Sequence, residues 1–122
     1  MAATLGIVVF AHGSRDARWR APVEAVAARA AALDPAAKVE CAYLDMVEPD
    51  LVTAVERLVA AGVAAVRVVP LFLGVGKHLR EDLPRLVDDL RGRHPGIQVT
   101  LREAVGEDPD VIELLARKAL EM

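Results

Sequence analysis

The apolar run Gly6-Ile7-Val8-Val9-Phe10 stops at His12-Gly13-Ser14, the pattern of a strand buried on both faces that opens into a turn. Beyond it Trp19, Val23, Val26, Ala27, Ala30 and Leu33 recur at helical spacing until Asp34-Pro35, which predicts an amphipathic helix with that face buried. Val39 to Leu44 alternates, with Val39, Cys41 and Tyr43 on one face and Glu40 on the other, as an edge strand does. Leu51, Val52, Val55, Leu58 and Val59 form a second helical stripe, and Gly62 fits its C-terminal cap. Val66 to Leu73 reads as the third strand; its Pro70 has no N–H for a ladder, so the strand is expected to be leaving the sheet there. The loop Gly74-Val75-Gly76-Lys77-His78 leads into a third helix bearing Leu83, Leu86, Val87 and Leu90, which ends before Gly92 and Pro95. Ile97 to Leu101 alternates as a fourth strand, and Asp108-Pro109 opens a last helix whose expected buried face is Val111, Ile112, Leu115 and Ala119.

Four successive strand–helix units predict an α/β fold: one three-layer domain over 1–122, a parallel sheet with helices on both faces. Strands one and three are continuously apolar and therefore central, whereas two and four alternate, which gives the order 2-1-3-4. In such a sheet ligands bind beyond the carboxyl ends of the strands where the order reverses. His12 follows strand one, His78 lies in the loop after strand three, and Asp45 stands just past strand two, all at that end. A lone histidine in such a loop more often caps or hydrogen-bonds than ligates. Two converging on one crevice, with a carboxylate, instead suggest an open site for a first-row divalent metal. His94, at the far end of a helix, is expected on the opposite surface.

Composition narrows the partners. The chain has 122 residues, 54% hydrophobic but only 3% aromatic, with a net charge of −3. Scarce stacking residues and no basic excess argue against nucleic acid and against an anionic membrane face. Leu5–Ala11 is too short to span a bilayer and lacks the flanks of a leader, and the single Cys41 allows no internal disulfide or CxxC site. Cytoplasmic residence is the expectation.

The remaining polar residues near the crevice have plainer readings beside the functional ones. Ser14 is expected to cap the first helix rather than act as a nucleophile, because no triad order accompanies it. Gly74-Val75-Gly76-Lys77 falls short of a phosphate loop, since Leu71 stands where the first glycine belongs. Arg15, Arg18, Lys77 and Arg80 could pair with substrate carboxylates, but for each taken separately a solvated surface charge is the favoured reading. Glu81 and Asp82 suit a helix N-terminus. Trp19 shares a face with Val23, which favours core or subunit packing over stacking on a ligand.

Three segments together resemble the CbiX/SirB family of sirohydrochlorin chelatases. They are Phe10-Ala11-His12-Gly13-Ser14-Arg15-Asp16; Tyr43-Leu44-Asp45 with Glu48-Pro49; and Val69-Pro70-Leu71-Phe72-Leu73 through Gly76-Lys77-His78 and Asp82-Leu83-Pro84. The resemblance covers essentially the whole chain. It implies half of a two-domain chelatase fold, a short form working as a homodimer, and ATP-independent insertion of Co²⁺, or of Fe²⁺ or Ni²⁺, into a sirohydrochlorin-type tetrapyrrole, with no cofactor beyond that metal. His12 and His78 match as catalytic residues and metal ligands, with Asp45 as a third ligand; Lys77, Arg80, Arg15 and Ser14 are the candidates for binding substrate. Asp45 stands where many relatives carry Glu, Gly76-Lys77-His78 replaces Gly-Gly-His, and Glu107-Asp108 occupies the place of a further histidine. Rival readings are a non-catalytic metal or tetrapyrrole carrier, a phosphatase with a histidine nucleophile, which would want an arginine where Ala11 stands, and a flavodoxin-like interaction domain.

Overall fold

The computed structural model describes residues 4–121; residues 1–3 and 122, included in the single-domain expectation, lie outside the described part. Four strands, β1 (Leu5–Ala11), β2 (Lys38–Tyr43), β3 (Ala65–Pro70) and β4 (Gln98–Leu101), form one parallel sheet in the order β2-β1-β3-β4. Helices α1 (Ala17–Leu33), α2 (Leu51–Ala60), α3 (Lys77–Arg93) and α4 (Pro109–Leu120) follow the strands in turn, with a short 3-10 turn at Val105–Glu107. The expected architecture and strand order are those observed. Register pairs Phe10 of β1 with Ala42 and Pro70, so the three strands end at the same level.

Pleating divides β1 between two apolar clusters. Val8 and Phe10 point to α2 and α3, where they join Val55, Leu58, Val66, Val68, Val87 and Leu90 in the main core. Val9 and Ala11 point the other way and meet Val23 of α1 and Tyr43 of β2 in a smaller cluster. Gly6 is needed for this close packing, because a Cβ there would stand 3.1 Å from Leu58 Cδ1 and 3.3 Å from Val63.

Local chemistry sets the helix ends. Asp50 and Asp108 accept the N–H groups of Thr53 and Asp110, Pro109 begins α4, and Gly62 follows α2 with φ +92°. Asp34 closes α1 as expected. β3, however, ends at Pro70 rather than Leu73: one further bond, Leu71 N–H to Phe10 O, follows before the chain leaves the sheet as a loop through Gly76.

Two predicted buried faces are not buried. Of the α1 stripe only Val23 is buried, and Trp19, Val26 and Leu33 are exposed. α4 buries none of its residues; Ile112, Leu115 and Ala119 face solvent and Val111 is half-covered. Periodicity identifies a face that needs cover, but α4 leans chiefly on the 3-10 turn and, among the described residues, nothing buries its stripe. The adjoining side of β1 and β3 is likewise open, as a pocket of about 280 Å³ lined partly by Ile7, Val9, Val26, Ala30 and Val69. Cys41 is half-buried, its thiol pushed up by burial and by the nearby Glu24 carboxylate. His94 is partly buried at the end of α3, with its Nε2 enclosed and without a partner.

Candidate active site

The end of β1 sets His12 in place. Phe10 and Ala11 are fixed by the sheet, and the ladder continues one step past each neighbour: Leu71 N–H donates to Phe10 O at 2.7 Å and Leu44 N–H to Ala11 O at 2.8 Å. His12 therefore leaves the sheet from a fully bonded base, exposed at the mouth between the loops. Its ring packs edge-to-face with Phe72, centroids 4.8 Å apart at 68°, and buried Phe72 makes a T-shaped contact with Phe10 at 5.9 Å. One imidazole edge is thus held by an apolar wall.

Gly13 follows in very close contact with the β2–α2 loop. Its N–H donates to Asp45 Oδ1 at 3.0 Å, and a Cβ on it would stand 1.8 Å from the Asp45 carbonyl oxygen. Only glycine permits these backbones to meet. The Asp45 carbonyl in turn accepts Val47 N–H at 2.8 Å, and Pro49 O accepts Tyr43 N–H at 2.9 Å. The acidic loop is thereby folded back beside His12.

Ser14 does not cap α1. Asp16 does, accepting Arg18 N–H at 2.9 Å, while Ser14 Oγ accepts Asp16 N–H at 3.1 Å and the Ser14 carbonyl accepts Arg20 Nη1 at 2.7 Å. Asp16 lies two residues beyond Ser14, directly before the first helical turn, and takes the role in its place. The Arg18 guanidinium also grips Asp16 and, with the Arg18 N–H, holds that carboxyl below the usual range. Arg15 is exposed.

His78 is the second residue of α3, exposed in the first turn after Gly76, beside Lys77. His78 thus lies on a helix and not in the loop expected for it, and because β1 pairs with β3, His12 and the loop leading to α3 follow adjacent strands. Arg80 is tied to Glu107 at 2.7 Å, joining α3 to the 3-10 turn, so a substrate carboxylate would share it with Glu107. His12, His78 and Asp45 do not form the expected three-ligand group: among the described residues no three His, Cys, Asp or Glu side chains stand together to hold a metal. Of the Asp45 carboxylate, Oδ1 accepts the Gly13 N–H.

Three features of the crevice are not legible in the spacing of residues. Phe72 was placed in a strand, yet beyond Pro70 its ring turns onto His12. The Arg80–Glu107 pair joins residues 27 apart, for which spacing carries no signal. Trp19 lies outside the core and lines an open pocket of about 310 Å³ with Ala11, His12, Arg18, Pro22, Val23 and Leu71.

The family model for CbiX matches residues 6–122. The chain belongs to the CbiX family. A sirohydrochlorin cobaltochelatase of Saccharolobus solfataricus is 30% identical to this CbiX chain, over 96% of this chain and 94% of its own length. That of Sulfurisphaera tokodaii is 26% identical over 96% and 92%. A CbiX protein of Marinobacter aquaeolei, described as a cobalamin biosynthesis protein, superposes with a TM-score of 0.79 at 36% identity, over 95% of this chain and 91% of that one. The sirohydrochlorin chelatase SirB of Bacillus subtilis, solved with cobalt, gives the same TM-score over 97% of this chain but 50% of its own; at 24% identity the likeness is one of fold. This CbiX domain therefore has the fold of half of that larger chelatase. No helix among the described residues is long and apolar enough to cross a membrane.

Proposed function

We propose that this chain is a sirohydrochlorin cobaltochelatase, inserting Co²⁺ into a sirohydrochlorin-type tetrapyrrole without ATP, with Fe²⁺ and Ni²⁺ as the alternative metals. The reading is carried by His12, held by Phe72 and by the Gly13–Asp45 contact at the open end of β1 in a chain of the CbiX family. Insertion replaces two pyrrole N–H protons by one M²⁺ and releases two H⁺, with no change of oxidation state. A neutral imidazole offers one lone pair, which either binds metal or accepts a proton. His12 and His78 supply two such pairs; as the metal passes to the macrocycle, the vacated pairs take the two protons. Asp45 balances the charge beside them, and Lys77, Arg15 and the Arg80–Glu107 pair meet the acidic substituents, with Ser14 shaping the loop.

We propose further that the chain pairs with a second copy of itself. The exposed α4 stripe and the open β1–β3 face support a homodimer, in which two such domains stand as the halves of a larger chelatase do.

The test follows the visible spectrum of sirohydrochlorin with each of Co²⁺, Fe²⁺ and Ni²⁺ at sub-stoichiometric protein, in wild type, His12→Ala and His78→Ala. Many turnovers in wild type, lost in both variants, are expected. Binding that stops at one equivalent would instead mean a carrier.

A further inference from the structure

We infer that Trp19, with Pro22 and Leu71, forms an apolar shelf beside His12 against which one edge of the tetrapyrrole ring system lies. The inference rests on the chelatase reading above and adds to it a substrate-positioning surface.

Trp19 is 62% exposed although it is the largest apolar side chain in the molecule. It sits in the first turn of α1, where its N–H bonds to Asp16 O at 3.0 Å, and that turn is anchored by the Asp16 cap and by Arg20 on the Ser14 carbonyl. The indole is therefore carried by rigid backbone only seven positions after His12. Both line the same pocket of about 310 Å³, whose other walls are Ala11, Pro22, Val23 and Leu71, with Arg18 the one charged side chain. An indole face suits a flat conjugated ligand. The volume lies at the low end for small-molecule sites, which matches one pyrrole-derived ring of the macrocycle rather than the whole.

Charge agrees with a ligand rimmed by carboxylates. The Arg18 side chain is 92% exposed and uses its Nε and Nη2 groups on Asp16, which leaves the donors of Nη1 for a substituent. A second copy of the chain is the competing occupant, and the open sheet face together with the exposed α4 stripe offers it a separate apolar surface. The remaining exposed apolar residues of α1, Val26 and Leu33, lie further along the helix; Val26 lines the separate pocket on the open sheet face with Ile7, Val9 and Val69. A partner seated on Trp19 would cover His12.

The experiment compares wild type with Trp19→Ala and Trp19→Phe. Trp19→Ala should raise the KM for sirohydrochlorin about tenfold or more while leaving the KM for Co²⁺ within twofold, and Trp19→Phe should restore most of the loss. Light scattering should give the same mass for all three. Hydroxyl-radical footprinting of the wild type adds a measurement that needs no variant: metal-free sirohydrochlorin should protect Trp19 relative to the exposed Leu120. An unchanged KM and no protection, in a wild type that turns over, would overturn the shelf alone. A lower mass for Trp19→Ala, or protection of Trp19 without ligand, would overturn it in favour of a subunit contact. Absence of turnover by wild type would instead overturn the chelatase reading.

Discussion

Replacing Gly13 by alanine adds one methyl group where two backbones touch. The new Cβ would stand 1.8 Å from Asp45 O, 3.0 Å from its carbonyl carbon and 3.1 Å from Val47 Cγ2. An ordinary carbon–oxygen contact is about 3.3 Å, so the β2–α2 loop must retreat by about 1.5 Å. The obstacle is main chain, and its movement pulls on the bonds from Gly13 N–H to Asp45 Oδ1 and from Leu44 N–H to Ala11 O. Overpacking costs about 1–3 kcal/mol and an exposed hydrogen bond about 1 kcal/mol, together about 2–4 kcal/mol. For a chain of this size that lowers Tm by about 10 °C. His12 is the adjacent residue, and a displacement on the order of 1 Å is enough to lower kcat/KM about a hundredfold. Circular-dichroism melting and the metal-insertion assay read the two effects. Gly74→Ala is the control, because nothing lies within 4 Å of its added Cβ. A Gly13→Ala protein that melts within about 2 °C of wild type and keeps its activity would refute the close contact.

Gly106→Ala should act at a distance: its Cβ would fall 1.6 Å from Leu73 O and strain the Gly106 N–H bond to Phe72 O, costing about 2–3 kcal/mol in urea unfolding and loosening the wall behind His12. A neutral result would sink that link. Asp50→Ala removes the cap on Thr53 N–H and should cost about 1 kcal/mol at neutral pH. Hydrogen bonding by Thr53 holds the Asp50 carboxyl below its usual value, so its contribution is complete above the unfolded-state range near about 3.9 and disappears as pH falls through the lower folded value. Urea midpoints of wild type and variant should converge in strong acid; a constant gap would contradict the assignment. Paired Ile112→Lys and Leu115→Lys changes on α4 should leave far-ultraviolet circular dichroism intact and halve the mass in solution, whereas an unaltered mass would place any subunit contact elsewhere.

The sheet was legible because burial writes itself on strands: Gly6–Phe10 is apolar throughout and central, and Val39–Tyr43 alternates and lies at an edge. The placement of His12, His78 and Asp45 at one end followed from that order. Other features depended on contacts that spacing does not encode. The stripes of α1 and α4 were read correctly as apolar but not as uncovered, since periodicity says that a face needs a partner and not whether this chain provides one. Asp45 was legible as a carboxylate at the crevice, but its engagement with Gly13 is a matter of ångström-scale fit between two loops. Phe72 looked like strand, but β3 ends at Pro70 and the ring turns towards His12.

The two sides of the sheet are unequally filled: among the described residues sixteen buried ones form the cluster on the α2–α3 side and four the cluster on the α1 side. Native-state opening follows local density, so the sheet with α2 and α3 is the unit that opens last, whereas α1 can part from it at a smaller free-energy cost. Amide hydrogens of α1 should therefore exchange with solvent well before those of α2 and α3. His12 stands at the seam between the two units, on the end of a strand that belongs to the firm one, facing a helix that can yield. Such a seam admits a broad, flat guest by local breathing of one helix while the geometry of β1 stays fixed.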